Sequence, residues 1–204
     1  GLDRTAKMFI GGKQARPDGG YSYSVLDPRG HSLGQAGLGN RKDIRNAVEA
    51  AAKATGWTSL SGHARAQVLY FLAENLSARG DEFAARLTAM TGATKKAARA
   101  EVDASVSRII HYAAWADKYD GRVHYTKARH VTLAMPEAWG TMAISCPDEA
   151  PLLSLISLVL PAIAMGNRVV VTPSPLHPLA ATNLYQVLET SDVPDGVVNI
   201  VTGE

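Results

Sequence analysis

Cysteine is almost absent: the 204 residues hold only Cys146. A lone thiol cannot close an internal disulfide or build a multi-cysteine zinc site, which excludes a stapled secreted scaffold and a zinc module. A reducing, cytoplasmic setting is the expectation that follows. An excess of charge is missing too, with 21 basic residues against 19 acidic ones and a formal net charge of +2. A nucleic-acid surface concentrates basic residues on one face, and short pairs such as Arg41-Lys42 and Lys95-Lys96 do not supply one. The apolar run that stands out, residues 151–165, falls short of the roughly 20 residues needed to span a bilayer and contains Pro161. Residues 1–7 lack the apolar core of a secretion signal. Neither nucleic acid nor membrane is expected as a partner. The histidines (His31, His63, His111, His124, His130 and His177) form no i, i+4 pair of the kind that holds a metal on a helix, so no metal is expected.

What is present is an apolar share of 46%, spread along the whole length, enough for one large domain or two small ones sharing a core. Met8-Phe9-Ile10 ends in the turn pair Gly11-Gly12, and the alternating segment 21–26 is closed by Asp27-Pro28-Arg29-Gly30. These read as two short strands that need an outside partner, because an isolated hairpin is barely stable. Three helices follow. Asn40 caps the first, which carries Ile44, Val48 and Ala52 as an apolar stripe flanked by Ala47 and Ala51. The second holds Val68, Leu69, Leu72 and Leu76, breaks at Gly80, and stops at Gly92. The third places Val102, Val106, Ile109, Ile110 and Ala113 on one side and ends near Gly121. Trp57, Trp115 and Trp139 read as core or helix-packing anchors.

Beyond Gly121 the period changes. Segments 122–125 and 130–135 alternate like exposed edge strands, and Pro136 ends the second. The last third reads strand (142–145), helix (152–165), strand (169–171), helix (179–188), strand (197–201). Strands apolar on both faces, alternating with helices, predict an α/β fold: a partial doubly wound, Rossmann-like parallel sheet with three covering helices and a small antiparallel strand module.

Several ordered pieces of this sequence resemble the opening of the aldehyde dehydrogenase superfamily. They include Ile10-Gly11-Gly12-Lys13, Val25-Leu26-Asp27-Pro28, Ala47-Val48-Glu49-Ala50-Ala51 and Glu101-Val102. The most specific are Pro161-Ala162-Ile163-Ala164-Met165-Gly166-Asn167, followed by Val169-Val170-Val171, and the segment from Pro194 to Gly203. Cys146-Pro147-Asp148-Glu149 and Ala114-Trp115-Ala116-Asp117-Lys118-Tyr119 are more similar to the second, non-catalytic half of the tandem family-sixteen members. The resemblance implies assembly-type β strands at residues 1–34 and 122–136, and a helical cover of the nucleotide domain at 35–121. Residues 137–204 would then form the first half of the nucleotide-binding fold. It also implies NAD or NADP as cofactor, a small aldehyde as substrate of the complete parent enzyme, and homo-oligomers built through edge strands. The phosphate-binding turn, general-base glutamate and nucleophilic cysteine would lie beyond Glu204.

The same resemblance marks the candidate site. Active relatives read Pro-Trp-Asn-x-Pro after the first parallel strand, with the asparagine amide donating to the developing oxyanion. Pro147 and Pro151 fit that frame and put Glu149 at the asparagine position, where an ionised carboxylate accepts rather than donates. After the second strand, active relatives read Lys-Pro-Ser-Glu, and the lysine and glutamate hold the ribose hydroxyls. Here the segment is Thr172-Pro173-Ser174-Pro175. Losing two charge-assisted contacts of about 1.5–3 kcal/mol each weakens dinucleotide affinity by orders of magnitude. Ser145, Pro147, Thr172 and Ser174 remain as vestigial cofactor contacts, and Glu149 as a replaced oxyanion donor. Cys146 reads as a small residue at a strand end rather than a nucleophile. Asp148 and Glu149 read as helix-dipole partners rather than an acid/base pair.

Three functions stay open at this level. The chain is part of an NAD(P)-dependent aldehyde dehydrogenase-like protein and not catalytic by itself; or it belongs to a non-catalytic assembly half, a pseudoenzyme; or, least supported, it is a free-standing nucleotide module.

Overall fold

The structure, a computed structural model, describes residues 5–203; residues 1–4 and Glu204 lie outside the described residues. In chain order the elements begin with β1 (Thr5–Ala6), β2 (Met8–Ile10), β3 (Lys13–Ala15), β4 (Ser22–Leu26) and β5 (Ser32–Gly37). The helices α1 (Arg41–Lys53), α2 (Thr55–Ser59), α3 (Gly62–Ala78), α4 (Gly80–Thr91) and α5 (Lys95–Trp115) follow. The remainder is β6 (Arg122–His124), β7 (Thr132–Ala134), β8 (Thr141–Ser145), α6 (Pro151–Ala164), β9 (Arg168–Thr172), α7 (Leu179–Thr190) and β10 (Val198–Ile200).

The parallel core is as expected. β8, β9 and β10 lie side by side, with Ile144 opposite Val171 and Val170 opposite Asn199, so each crossover helix returns the chain to the adjacent position. The alternation along β9 explains why its sequence is apolar throughout. Val169 and Val171 face the main core, which includes Leu155, Ile156, Val159 and Leu184 of α6 and α7. Val170 faces the other way, onto Met8, Ala47, Ala51 and Val201. Helices therefore cover both faces, and a run of β-branched residues is the composition such a strand requires.

The first strands pair differently from the expectation. Met8–Ile10 does not pair with the segment at 22–26. It forms a hairpin with Lys13–Ala15 and extends the parallel sheet as an antiparallel edge, giving the order β3-β2-β10-β9-β8. The reason is local: Gly11 and Gly12, at φ of +59° and +75°, make a two-residue turn that closes a hairpin immediately. β4 pairs instead with β5, and β1 adds to β5 in parallel, in a separate three-stranded sheet. β6 and β7 pair with each other, and their residues are exposed.

Three further expectations are corrected. The buried face of α1 is Asp43, Ala47 and Ala51, whereas Ile44 and Val48 are 39% and 43% exposed. Small side chains let this helix lie close on the sheet, close enough for Arg168 Nε to donate to the Ala51 carbonyl at 3.1 Å. Asp43 is buried because its carboxylate accepts from the backbone N–H of Asn40 and Asp18, completing a capping box with Asn40. β8 is an edge strand rather than a doubly covered one, and only Ile144 in it is half-buried. Of the tryptophans, Trp57 is buried, but Trp115 and Trp139 are 48% and 94% exposed.

Two helix stops fall where expected, whereas α5 ends at Trp115, short of Gly121. α3 and α4 divide at Gly80, and Gly92 ends α4 in the left-handed region. The start of α6 is built from a distance. Pro151 occupies its first turn, and the Leu152 and Leu153 N–H groups donate to Glu101 Oε1 of α5 at 2.9 and 3.2 Å. A carboxylate there satisfies two orphan donors and complements the positive helix end. Among the described residues no helix is long and apolar enough to cross a membrane.

Candidate functional site

In an open parallel sheet, ligands gather at the carboxyl ends of the strands. Here those ends are Ser145 of β8 and Thr172 of β9, which lie opposite one another, and the Val201-Thr202 segment after β10. The β10 end is closed by the chain itself. Thr202 is buried, its hydroxyl donates to the Gly37 carbonyl at 2.6 Å, and its carbonyl accepts from Gly39 N–H. Over the ends of β8 and β9, the loop at 146–150 meets the loop at 173–178.

Every residue singled out in these loops is located here, but their engagements differ. Ser145 and Pro147 are exposed. Thr172 is half-buried; its carbonyl accepts from Cys146 N–H at 2.9 Å, and its hydroxyl has no partner among the described residues. Ser174 is 1% exposed, and its hydroxyl donates to Asp148 Oδ1 at 2.6 Å while accepting from the N–H groups of Leu176 and His177, both at 3.2 Å. A serine hydroxyl has one proton and two lone pairs, so all of its capacity is used internally. His177 Nδ1 lies 3.1 Å from the Asp148 carbonyl, a second tie between the two loops. Glu149 is exposed, and its carbonyl accepts from the Ser154 hydroxyl at 2.7 Å.

The helix-dipole reading of Asp148 is corrected by these contacts. Glu101 fills the anion position at the α6 N-terminus, and the Asp148 side chain turns across to Ser174 instead. Between them Ala150 sits at φ 44°, ψ 63°, the left-handed region, which costs a non-glycine residue about 1–2 kcal/mol. Cys146 is buried, and desolvation pushes its thiol up to about 11, so the nucleophilic thiolate is suppressed at neutral pH. That agrees with its reading as a packing residue. Among the described residues no group of three or more His, Cys, Asp or Glu side chains forms a metal site.

Two groups that organise this region escaped the sequence reading as participants. Asn199 in β10 is fully buried; its Oδ1 accepts from Gly11 N–H, and its Nδ2 donates to the carbonyls of Val169 and Gly196. Trp57 Nε1 donates to the Ile163 carbonyl at 2.8 Å, which ties α2 to the last turn of α6. Apart from Gly196, three residues before Asn199, these partners are distant in sequence, so composition and spacing carry little signal for them. A cavity of about 590 Å³ between α4 and α5, lined by Asp81, Thr88, Lys95, Arg99 and three alanines, shares no residue with the strand-end loops.

Ser174 has no proton to offer a ribose oxygen, and an anionic ligand entering between these loops meets the carboxylates of Asp148 and Glu149.

The sheet order and its covering helices define a doubly wound α/β fold of the nucleotide-binding class. The aldehyde dehydrogenase family profile matches residues 16–204, and the chain belongs to that family. An aldehyde dehydrogenase of Agaricus bisporus is 34% identical over 201 residues, covering 96% of this chain and 40% of that protein. The mouse cytosolic 10-formyltetrahydrofolate dehydrogenase is 30% identical over 211 residues, covering 99% of this chain and 23% of that protein. A putative aldehyde dehydrogenase from Burkholderia cenocepacia superposes with a TM-score of 0.96 at 26% identity, over all of this chain and 42% of its own. The chain thus spans less than half the length of these relatives.

Proposed function

We propose that this chain is the front part of an NAD(P)-dependent aldehyde dehydrogenase-like protein and that it neither oxidises an aldehyde nor holds the dinucleotide firmly by itself. The observation that carries the reading is the saturated Ser174 hydroxyl, locked onto Asp148 where an open fold of this class receives its ligand. Glu149 supports it, because a carboxylate side chain stands exposed where the resemblance expects an amide donor to an oxyanion. Aldehyde oxidation and the choice of aldehyde belong, in this reading, to a larger parent protein working in a reducing, cytoplasmic setting. The chain's own part is architectural, as in the non-catalytic half of a tandem dehydrogenase.

The strands at 122–136 fit an assembly role in this proposal. Val123, Val131, Leu133 and Met135 are 57–76% exposed, and the β6–β7 hairpin leaves free edges through which copies can extend a sheet. Calorimetric titration with NAD and with NADP tests the cofactor claim. Dissociation constants weaker than about 1 mM, under roughly 4 kcal/mol of binding energy, are expected. Micromolar binding of either cofactor overturns the reading.

A further inference from the structure

We propose that Asp148 is an internal stopper: its carboxylate holds the Ser174 hydroxyl and keeps the loop after β8 closed on the loop after β9, so the strand-end crevice is filled by the chain's own side chain. The inference rests on the weak-binding reading above and goes beyond it. That reading counts the Ser174 hydroxyl as already used; the stopper makes Asp148 the group that holds the two loops together.

The geometry makes the contact more than a surface hydrogen bond. Asp148 is exposed, but Ser174 is almost fully buried, and the 2.6 Å distance is that of a short hydroxyl–carboxylate bond. The same hydroxyl receives two backbone N–H groups of the 173–178 loop, so it sits at the centre of that loop's turn and transmits any shift to it. The tie is doubled by His177 Nδ1 on the Asp148 carbonyl. On the other side, the 146–151 segment is pinned at both ends. Cys146 N–H is bonded to Thr172, and the start of α6 to Glu101. Ala150, between the pins, is held in the left-handed region. A strained non-glycine backbone persists only where its surroundings over-determine it. Asp148 supplies one of those determinants, and its charge repels the phosphates of any nucleotide approaching the same strand ends.

The test uses the full chain and three variants, Asp148→Ala, Asp148→Asn and Ser174→Ala, with two readouts. The first is hydrogen exchange of the Leu176 and His177 amides, which donate to the Ser174 hydroxyl. The second is calorimetric titration with adenosine 5′-monophosphate, a probe that carries both ribose hydroxyls and a phosphate. Asp148→Ala is expected to speed exchange at both amides at least tenfold and to tighten probe binding at least tenfold over wild type. Asp148→Asn keeps an acceptor oxygen and is expected to hold exchange within about threefold of wild type. Ser174→Ala removes the acceptor, and is expected to speed exchange without tightening the probe, because the Asp148 charge remains. An unchanged exchange rate in Asp148→Ala overturns the stopper, and so does faster exchange with no gain in probe binding. Micromolar NAD binding by the wild-type chain overturns the preceding reading alone if Asp148→Ala still tightens the probe tenfold, and overturns both if it does not.

Discussion

Replacing Asn199 with alanine is expected to cost about 3–5 kcal/mol of folding stability, read as a fall in the urea midpoint at unchanged slope. The side chain is fully buried and serves three backbone groups at once: Gly11 N–H at 2.9 Å, the Val169 carbonyl at 3.1 Å and the Gly196 carbonyl at 2.8 Å. Truncation strands one donor and leaves two acceptors short, and each unsatisfied buried group costs about 1–3 kcal/mol. The damage should be local first. The Gly11 contact joins the β2–β3 hairpin to β10, so amides of that hairpin should exchange earlier than those of β9. A loss under about 1 kcal/mol would show that these backbone groups find other partners.

Trp57→Ala is expected to cost about the same, 3–5 kcal/mol, for a different reason. The indole is 1% exposed within the main core, and a large aromatic removed from such a site leaves a cavity that the neighbours only partly fill. Trp57→Phe separates packing from polarity. The Ile163 carbonyl that accepts the indole N–H also accepts from Gly166 N–H at 3.0 Å, so the phenylalanine variant does not orphan it. A cost near 1 kcal/mol is expected for that variant in the same urea measurement. Domains of this size are stable by about 5–15 kcal/mol, so either truncation removes a large share of the margin. Equal losses in Trp57→Ala and Trp57→Phe would assign the effect to the hydrogen bond rather than to the packing.

The parts of this fold legible in sequence are those encoded by near neighbours. Asn40 with Asp43 marks a helix start, Gly92 a helix stop, and the β-branched run at Val169-Val170-Val171 a strand covered on both faces. Errors came where a long-range choice decided between locally equivalent options. Ile44 and Val48 offer the more hydrophobic stripe of α1, yet the helix turns Ala47 and Ala51 inward because a close approach to the sheet needs small residues. Trp139 is a large aromatic by composition but lies before an edge strand with a single neighbour, so nothing among the described residues covers it. The candidate site divides in the same way. Resemblance placed Pro147, Glu149, Thr172 and Ser174 at the strand ends. What each side chain is bonded to stayed hidden, because the partners lie 26 residues away for Ser174 and Asp148, 51 for Glu101 and Leu152, and 188 for Gly11 and Asn199.

These pairings also separate the framework of the fold from its strand-end loops. Glu101, Asn199, Trp57 and Arg168 hold α6, β9 and β10 in register through bonds that involve none of the strand-end loops after β8 and β9. Substitution at 148, 149 or 174 is therefore expected to leave the sheet beneath intact.

The most direct test is a crystal structure of the chain grown with millimolar NAD. The account predicts a strand-end crevice without bound dinucleotide and with the Ser174 hydroxyl still on Asp148 at hydrogen-bond distance. A nicotinamide dinucleotide held there by Thr172 or Ser174, with the Asp148 contact broken, would contradict it.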